Sequence, residues 1–308
     1  MKSNFESKNH KKDFFNFLRE GAVPLKYAYS GSGTFKHNKL ASRGSYHHAV
    51  TGKLGQYSYI EKRFKSERVN LIEIGSGNGI SSVNLITTLK KSGINIAKYV
   101  GIDFSKNLMN ICKKRIDEFF PELPLSFYQS DIEIEIKNNI KKVFSKSDKT
   151  NLVFMIGNTL GNVENPIKTL SNIESILKVG DYFVIGVSLL KDDQNYDYVK
   201  DYLNKVFYDA CIEPFKMAGM WNKTDKLEII FDKDIPAILG LYYPSKDLLI
   251  KEGNDKFIIK ANSKIRCFMS RRFTIDGLNN LLTQAGLEVV NNKASEDSNV
   301  LVTTSVKK

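Results

Sequence analysis

Three glycines at two-residue intervals end the segment Glu73-Ile-Gly-Ser-Gly-Asn-Gly79, which follows a short apolar run and precedes a helical pattern. Glycine lets a backbone pass close to a ligand without side-chain clash. A helix opening directly behind such a turn presents unpaired N–H groups and the positive end of its dipole. Glycine also serves any tight strand-to-helix turn, so the loop needs partners before it reads as a ligand site. Asp103 lies 28 residues beyond Gly75, at the end of a second apolar run. A carboxylate there can accept both hydroxyls of a ribose as charge-assisted hydrogen bonds. It can equally cap a helix, a role Ser105 could share. Asp131 closes a third run, within reach of an adenine amino group in such an arrangement. Gly75, Gly77, Asp103 and Asp131 together read as the grip on a nucleoside-bearing cofactor.

The spacing separates two cofactor classes. A dinucleotide fingerprint wants Gly-x-Gly-x-x-Gly, and position 80 is Ile. An acid after the second strand also suits NAD. The nearest proton-transfer candidates, however, are His47 and His48, which lie before the first strand. The pattern therefore favours S-adenosylmethionine.

The elements that must hold these residues follow in regular order. Val69 to Ile74, Lys98 to Ile102, Leu125 to Tyr128, Leu152 to Ile156 and Tyr182 to Val187 are β-branched or aromatic-rich runs, each next to Gly, Asp or Asn. Helical spacing fills Ile80 to Lys91, Asn107 to Phe120 and Pro166 to Leu177. Alternating strand and helix predicts a doubly wound, Rossmann-like α/β sheet, whose ligands bind at the carboxyl ends of the strands. After Lys191 the pattern changes to helical stretches mixed with antiparallel strand signals at Leu227 to Phe231, Ala237 to Tyr243 and Lys256 to Ile259. The expected organisation is an N-terminal segment over the active site (1–66), a cofactor-binding core (67–191), an inserted α+β substrate-binding subdomain (192–265) and a return to the core sheet (266–308). Within that return, Thr274 to Ala285 reads as a helix, and Leu287 to Val290 and Val300 to Val306 read as a terminal hairpin. A class I methyltransferase sheet commonly ends this way.

Composition narrows the class further. Of 308 residues, 42% are hydrophobic and 26% charged, ordinary for a globular chain. No apolar run approaches the roughly 20 residues of a membrane helix, and Met1 to Lys12 is polar. The expectation is a cytoplasmic protein without a membrane partner. Cys112, Cys211 and Cys267 lie far apart, so neither a disulfide framework nor a metal site is expected. The net charge of +12 raises nucleic acid as a partner. Enzymes that methylate exocyclic base amines usually carry Asp/Asn-Pro-Pro-aromatic after the fourth strand. Here that place reads Gly157-Asn-Thr-Leu-Gly-Asn162, and no Pro-Cys nucleophile is present, so nucleic acid is disfavoured.

Longer stretches resemble one family. Phe154-Met-Ile-Gly-Asn-Thr-Leu-Gly-Asn162 is similar to the Gly-Ser-Thr-Ile-Gly-Asn stretch of the histidine Nα-methyltransferases of ergothioneine biosynthesis. Pro24-Leu-Lys-Tyr-Ala-Tyr-Ser-Gly-Ser-Gly33 resembles that family's Pro-Lys-Trp-Phe-Tyr-Asp-x-x-Gly-Ser. Tyr46 follows Tyr29 at the family's interval, and Leu189-Leu-Lys-Asp192 resembles Leu-Val-Lys-Asp. Met269-Ser-Arg-Arg-Phe273 and Gln284-Ala-Gly-Leu287 resemble its Val-Ser-x-Lys-Phe and Glu-Ala-Gly. The resemblance implies that Tyr29, Gly75, Asp103, Asp131 and Ile132 hold S-adenosylmethionine, with Gly157 beside both ligands. It implies that Tyr46, Gly157 and Asn162 hold the amino-acid end of the substrate, making Tyr46 and Asn162 the catalytic candidates. Ser270 would lie near the substrate side chain, and the enzyme would be a monomer.

Two departures bear on the substrate. The family places a glutamate two residues before the serine, where it grips the imidazole; here that position is Phe268. The family's Ala-Tyr-Asp-Asp stretch has no clean match, leaving Tyr198, Tyr202 and Tyr208 as alternatives for a substrate tyrosine. The expectation is an N-methyltransferase for a small amino-acid-like molecule other than histidine.

Overall fold

The computed structural model describes residues 5, 8–42, 57–134, 138–145, 148–191, 197–252, 255–297 and 299–308. The chain opens with helix α1 (Lys8–Arg19), a 3-10 turn (Leu25–Tyr29), α2 (Gly33–Ala41) and α3 (Ser58–Arg63). An alternating series follows: β1 (Arg68–Ile74), α4 (Ile80–Lys91), β2 (Asn95–Asp103), α5 (Lys106–Phe119), β3 (Leu125–Gln129), α6 (Asn138–Ser145), β4 (Asn151–Met155), α7 (Pro166–Glu174) and β5 (Tyr182–Ser188). Then come α8 (Lys205–Met217), β6 (Lys226–Asp232), β7 (Ala237–Tyr243), β8 (Leu248–Glu252), β9 (Asp255–Ile259) and β10 (Ile265–Arg271). The chain closes with α9 (Ile275–Gln284), β11 (Leu287–Ala294) and β12 (Val300–Lys307). Contacts divide it into two units, Ala41–Asp192 with Arg272–Lys308, and Met1–Leu40 with Asp193–Arg271.

The larger unit is built on one seven-stranded sheet in the order β11-β12-β5-β4-β1-β2-β3. β1 to β5 run parallel, and β12 is antiparallel to both β5 and β11. Consecutive side chains of a strand point to opposite faces, so a sheet covered on both sides needs nearly continuous apolar strands. β1 and β4 meet that need. Ile72, Ile74, Val153 and Met155 join Leu170 and Ile173 of α7 and Leu278 and Leu282 of α9 in one buried layer. Leu71, Leu152 and Phe154 join Leu85, Ile86 and Leu89 of α4 and Ile116 of α5 in the other. From β1 the chain steps outward through β2 to β3, then returns to add β4 and β5 on the far side of β1. The turns after β1 and β4 thus flank the switch point, where such sheets bind ligands.

Local signals set several boundaries. Ser105, not Asp103, caps α5, its hydroxyl accepting from the Leu108 N–H. Asn165 caps α7, with Pro166 at its first position. The Gly180-Asp181 turn carries a clamp: the buried Asp181 carboxylate accepts from the Asn151 N–H at 2.9 Å, Asn151 Nδ2 at 2.8 Å and the Lys178 N–H at 2.9 Å. It ties the start of β4 to the start of β5.

The smaller unit holds an antiparallel sheet in the order β10-β7-β6, the β8-β9 hairpin, α8 and the N-terminal elements to Leu40. α1 buries Phe14, Phe15 and Leu18, an apolar stripe lying just beyond the polar Met1 to Lys12 stretch. One boundary differs from the sequence expectation. Residues from Ile265 to Arg271 do not return to the main sheet; they form β10, paired with β7, so the return begins at Arg272. The N-terminal segment is likewise divided, residues to Leu40 belonging to the smaller unit. No helix among the described residues is long and apolar enough to cross a membrane.

Replacing Asp181 by Ala leaves three N–H groups without their acceptor. We expect a loss of about 2–4 kcal/mol in denaturant unfolding, without loss of the folded state.

Candidate active site

The glycine turn after β1 is shaped by backbone that only glycine adopts freely. Gly75, Gly77 and Gly79 all have positive φ, at 77°, 54° and 80°. A Cβ on Gly79 would sit 2.8 Å from the Cα of Cys112, so α4 starts in direct contact with α5. The Gly75 N–H donates to the Ile102 carbonyl at 2.8 Å, fixing the turn against the end of β2.

Asp103 ends β2 and is buried. Its Oδ2 accepts from the Gly77 N–H and its Oδ1 from the Ser105 N–H, each at 2.8 Å. Burial pushes its pKa up, against the lowering effect of N–H groups from Ser105, Gly77 and Phe104. A carboxylate has about four acceptor sites. The Gly77, Ser105 and Phe104 N–H groups do not exhaust them, so the carboxylate keeps capacity to accept from a ribose hydroxyl.

The turn after β3 is tied to the turn after β4. Asp131 Oδ1 accepts from the Glu133 N–H at 3.1 Å, and Glu133 Oε2 accepts from the Glu164 N–H at 2.7 Å. Asn172 Nδ2 donates to the Ile132 carbonyl at 2.9 Å, while the Ile132 side chain packs against the core. Asp131 is half-buried at the strand end.

After β4, Gly157 has φ 83°, and a Cβ there would meet no atom within 4 Å. The next residue, Asn158, also takes a left-handed conformation, at φ 60°, although it has a side chain. Its Oδ1 accepts from the Ser188 N–H at 2.9 Å, so it joins the ends of β4 and β5. A Cβ on Gly161 would collide with the Asn158 amide at 2.5 Å. A 3-10 turn, Thr159–Asn162, follows. Thr159 Oγ1 lies 3.0 Å from where a Gly75 Cβ would be, so the β1 and β4 turns touch. Asn162 is half-buried at the end of this turn, and among the described residues its amide has no hydrogen-bond partner. Gly75, Gly77, Asp103, Asp131, Ile132, Gly157 and Asn162 therefore share the carboxyl edge of one sheet.

The other sequence candidates lie elsewhere. Tyr46 falls outside the described residues, as do His47 and His48. Tyr29, Phe268 and Ser270 belong to the smaller unit. Tyr29 ends the 3-10 turn Leu25–Tyr29, its ring 4.5 Å from that of His37, whose pKa burial lowers to about 4. Phe268 and Ser270 are both buried on β10, opposite Gly240 and Ile238 of β7. A Cβ on Gly240 would lie 2.8 Å from that of Phe268, so glycine is what lets the phenyl lie over β7. The Phe268 ring packs edge-on against Phe207 of α8 at 4.7 Å and beside Tyr202 at 5.6 Å. Of the three alternative tyrosines, Tyr202 is the one against Phe268; Tyr198 stacks on Phe231, and Tyr208 meets Trp221 edge-on.

One cluster escaped the sequence reading. Glu73 is fully buried behind the glycine turn, its Oε2 accepting from the Tyr99 hydroxyl at 2.7 Å. The same hydroxyl lies 3.2 Å from Ser82 Oγ at the start of α4. Burial pushes Glu73 up to about 7 and Cys112 up to about 12. A carboxylate preceding a glycine loop was the only available signal. Tyr99 reads in the sequence as one more β-strand aromatic.

The comparisons with known proteins bear on this arrangement. Residues 45–199, half of the chain, match the family model described as histidine-specific methyltransferase, SAM-dependent. The chain belongs to that family. A search of curated proteins found no match. A solved S-adenosylmethionine-dependent methyltransferase from Clostridium acetobutylicum superposes with a TM-score of 0.52 at 11% identity, over 89% of this chain and 98% of that one. Magnesium protoporphyrin IX methyltransferase from Synechocystis, solved with bound S-adenosylhomocysteine, gives 0.48 at 9% identity, over 92% and 98%. The methyltransferase is thus a class I, Rossmann-like enzyme that uses S-adenosylmethionine. The site fits the cofactor: glycine backbone leaves room for close approach, and Asp103, oriented by backbone N–H groups, keeps acceptor capacity for a ribose hydroxyl.

Glu73 also makes the enzyme's stability pH-dependent. Its folded pKa is raised, so folding favours the protonated acid. The contribution is complete below about pH 4.5, where both states are protonated. It declines as the unfolded chain releases its proton and is lost above about 7. The decline amounts to about 3 kcal/mol. Chemical denaturation at pH 4.5 and 7.5 should show this slope in the native enzyme and lack it in Glu73→Gln.

Proposed function

We propose that this methyltransferase methylates the amine nitrogen of a small amino-acid-like substrate whose side chain is aromatic or apolar rather than an imidazole. The observation that carries this reading is Phe268. It occupies the place where the resembling family has its imidazole-gripping glutamate, and it is buried among the rings of Tyr202 and Phe207. A carboxylate accepts hydrogen bonds from a ring N–H; a phenyl offers only contact area.

The cofactor supplies an electrophilic sulfonium methyl. The chain's own work is to position and to dry the site. We assign Asp103 to the ribose, Asp131 and Ile132 to the adenine side, and the Gly75–Gly79 backbone to close approach, with Tyr29 completing the cofactor contacts. Tyr46, Gly157 and Asn162 are assigned to the amino-acid end. The uncommitted Asn162 amide and the open space at Gly157 support the last two. Phe268 and Ser270 are assigned to the substrate side chain, making the smaller unit the substrate-binding subdomain. The attacking amine must be neutral. A tyrosine hydroxyl or water is assigned to accept the proton it releases. Three buried free thiols suit the cytoplasm as its compartment.

The test is titration of S-adenosylhomocysteine into the protein, alone and with histidine, tryptophan, tyrosine, phenylalanine and leucine. We expect binding that an aromatic or apolar amino acid strengthens and histidine does not. Strengthening by histidine alone would reject the substrate assignment. Asp103→Asn should weaken S-adenosylhomocysteine roughly 10- to 100-fold and, because its amide nitrogen cannot accept one of the two backbone N–H groups, also cost about 1–3 kcal/mol of stability.

A further inference from the structure

The β8–β9 hairpin of the smaller unit packs one face inward and leaves the other in water. Ile250 and Ile259 are buried, while Leu249 and Ile258, directly opposite each other, are 56% and 55% exposed. The next pair on the outer face is Lys251 and Lys256, both exposed. Like charges directly opposite destabilise a strand pair. Among the described residues neither lysine has an ion-pair partner.

β8 is also an edge. The two strands form a sheet of their own, so each has one side without a strand neighbour. A groove of about 440 Å³ runs beside β8, meeting every residue from Lys246 to Lys251 and, among the described residues, none of β9. Successive side chains point to opposite faces, so a space that meets them all lies along the backbone edge. Phe15 and Ala218–Asn222 line its other side. An exposed edge is a template for another strand, and a lysine such as Lys251 repels most candidates.

The charges along β8 suit one particular strand, which is β8 itself. Asp247 stands two residues before Leu249 and Lys251 two residues after it, so all three share a face of the sheet. An antiparallel copy centred on Leu249 sets Asp247 opposite the partner's Lys251, and Lys251 opposite the partner's Asp247. Leu248 then meets Ile250, and Leu249 meets its own counterpart. β9 lacks this symmetry: about Phe257, Lys256 falls opposite Ile258, and about Ile258 it falls opposite Lys260. Asp247 is already fixed in place, accepting from the Ala261 N–H and from Lys260, each at 2.9 Å. A carboxylate has about four acceptor sites, so it can take a further ammonium.

We propose that β8 is a homodimer edge, pairing antiparallel with β8 of a second copy about a two-fold axis through Leu249. The outer face then carries a continuous apolar row, Ile258 and Leu249 of one copy beside Leu249 and Ile258 of the other. Lys251 receives an acid on the side away from Lys256. The pairing is isologous and closed, so it stops at two copies. It departs from the monomer that the family resemblance implies, and it is independent of the substrate assignment.

Sedimentation equilibrium of the full chain in reducing buffer tests it. One strand edge buries far less than the roughly 1,600 Å² of a standard interface, so the expected dimer is reversible, with a Kd on the order of 100 µM. Lys251→Glu sets acid against acid at both ends of the pairing and should weaken the dimer roughly tenfold or more. Asp247→Lys should do the same by opposing lysines. An equimolar mixture of the two variants should associate about as well as native protein, because each supplies the charge the other lacks. Asp247→Lys also removes the contacts to Ala261 and Lys260, so a second measurement uses the exposed positions alone. Leu249→Cys puts two thiols at the axis, with cross-strand Cβ atoms about 4.5–5.5 Å apart, and should cross-link under mild oxidation. Ile258→Cys, with thiols about 14 Å apart across three strand spacings, should not. The native cysteines are buried and give the background. A monomer up to about 500 µM overturns the inference, the groove's other side then excluding a second hairpin. A dimer that Lys251→Glu leaves unchanged, or that cross-links through Ile258→Cys as readily as through Leu249→Cys, also overturns it, since the contact then lies elsewhere.

Discussion

The Asp103 carboxylate is the constraint on which the cofactor edge depends. By accepting the N–H groups of Gly77 and Ser105 it fastens the β1 turn to the point where β2 becomes α5. These two turns come from strands adjacent in the sheet, and Arg115 of α5 adds a second link by donating to the Asn78 carbonyl in the β1 turn. Gly77 presents its N–H from a positive φ, which glycine adopts without strain. Burial works against the charged carboxylate, and the backbone donors offset much of that cost. The result is an acid already oriented before any ligand arrives, so little ordering entropy remains to be lost on binding.

The rest of the edge is assembled by similar short links between turns. Thr159 touches Gly75, Glu133 holds the Glu164 N–H, and Asn158 reaches the end of β5. Each joins loops whose parent strands are fixed by two apolar layers, one on each face of the sheet. Behind the glycine turn, Glu73, Tyr99 and Ser82 form a polar knot inside an otherwise apolar layer. Such a knot is expensive unless satisfied. Its cost is consistent with a role in holding the start of α4 in register with β1 and β2.

The fold was largely legible because its signals are local. Runs such as Val69 to Ile74 and helices such as Ile80 to Lys91 announce themselves by apolar periodicity and by the glycine or acid that ends them. The glycine turn, Asp103 and Asp131 were legible for the same reason: each sits at the end of a run. What periodicity could not supply was pairing. β10 lies in the stretch expected to return to the core sheet, but it pairs with β7, whose Gly240 leaves room for Phe268. The choice between Asp103 and Ser105 as helix cap also needed geometry, since both residue types cap well and only one can accept from Leu108.

The sequence by itself determined the alternating α/β architecture, the cofactor class and the departure at Phe268, since these depend on residue type and spacing along the chain. Only the tertiary structure decided which groups share a surface. It set Tyr202 rather than Tyr198 or Tyr208 against Phe268, buried Glu73 under Tyr99, and brought Glu213 to Ser32 across 181 residues. Those neighbours arise from packing between distant segments, where shape and the satisfaction of buried polar groups select the partner and no local pattern records the choice.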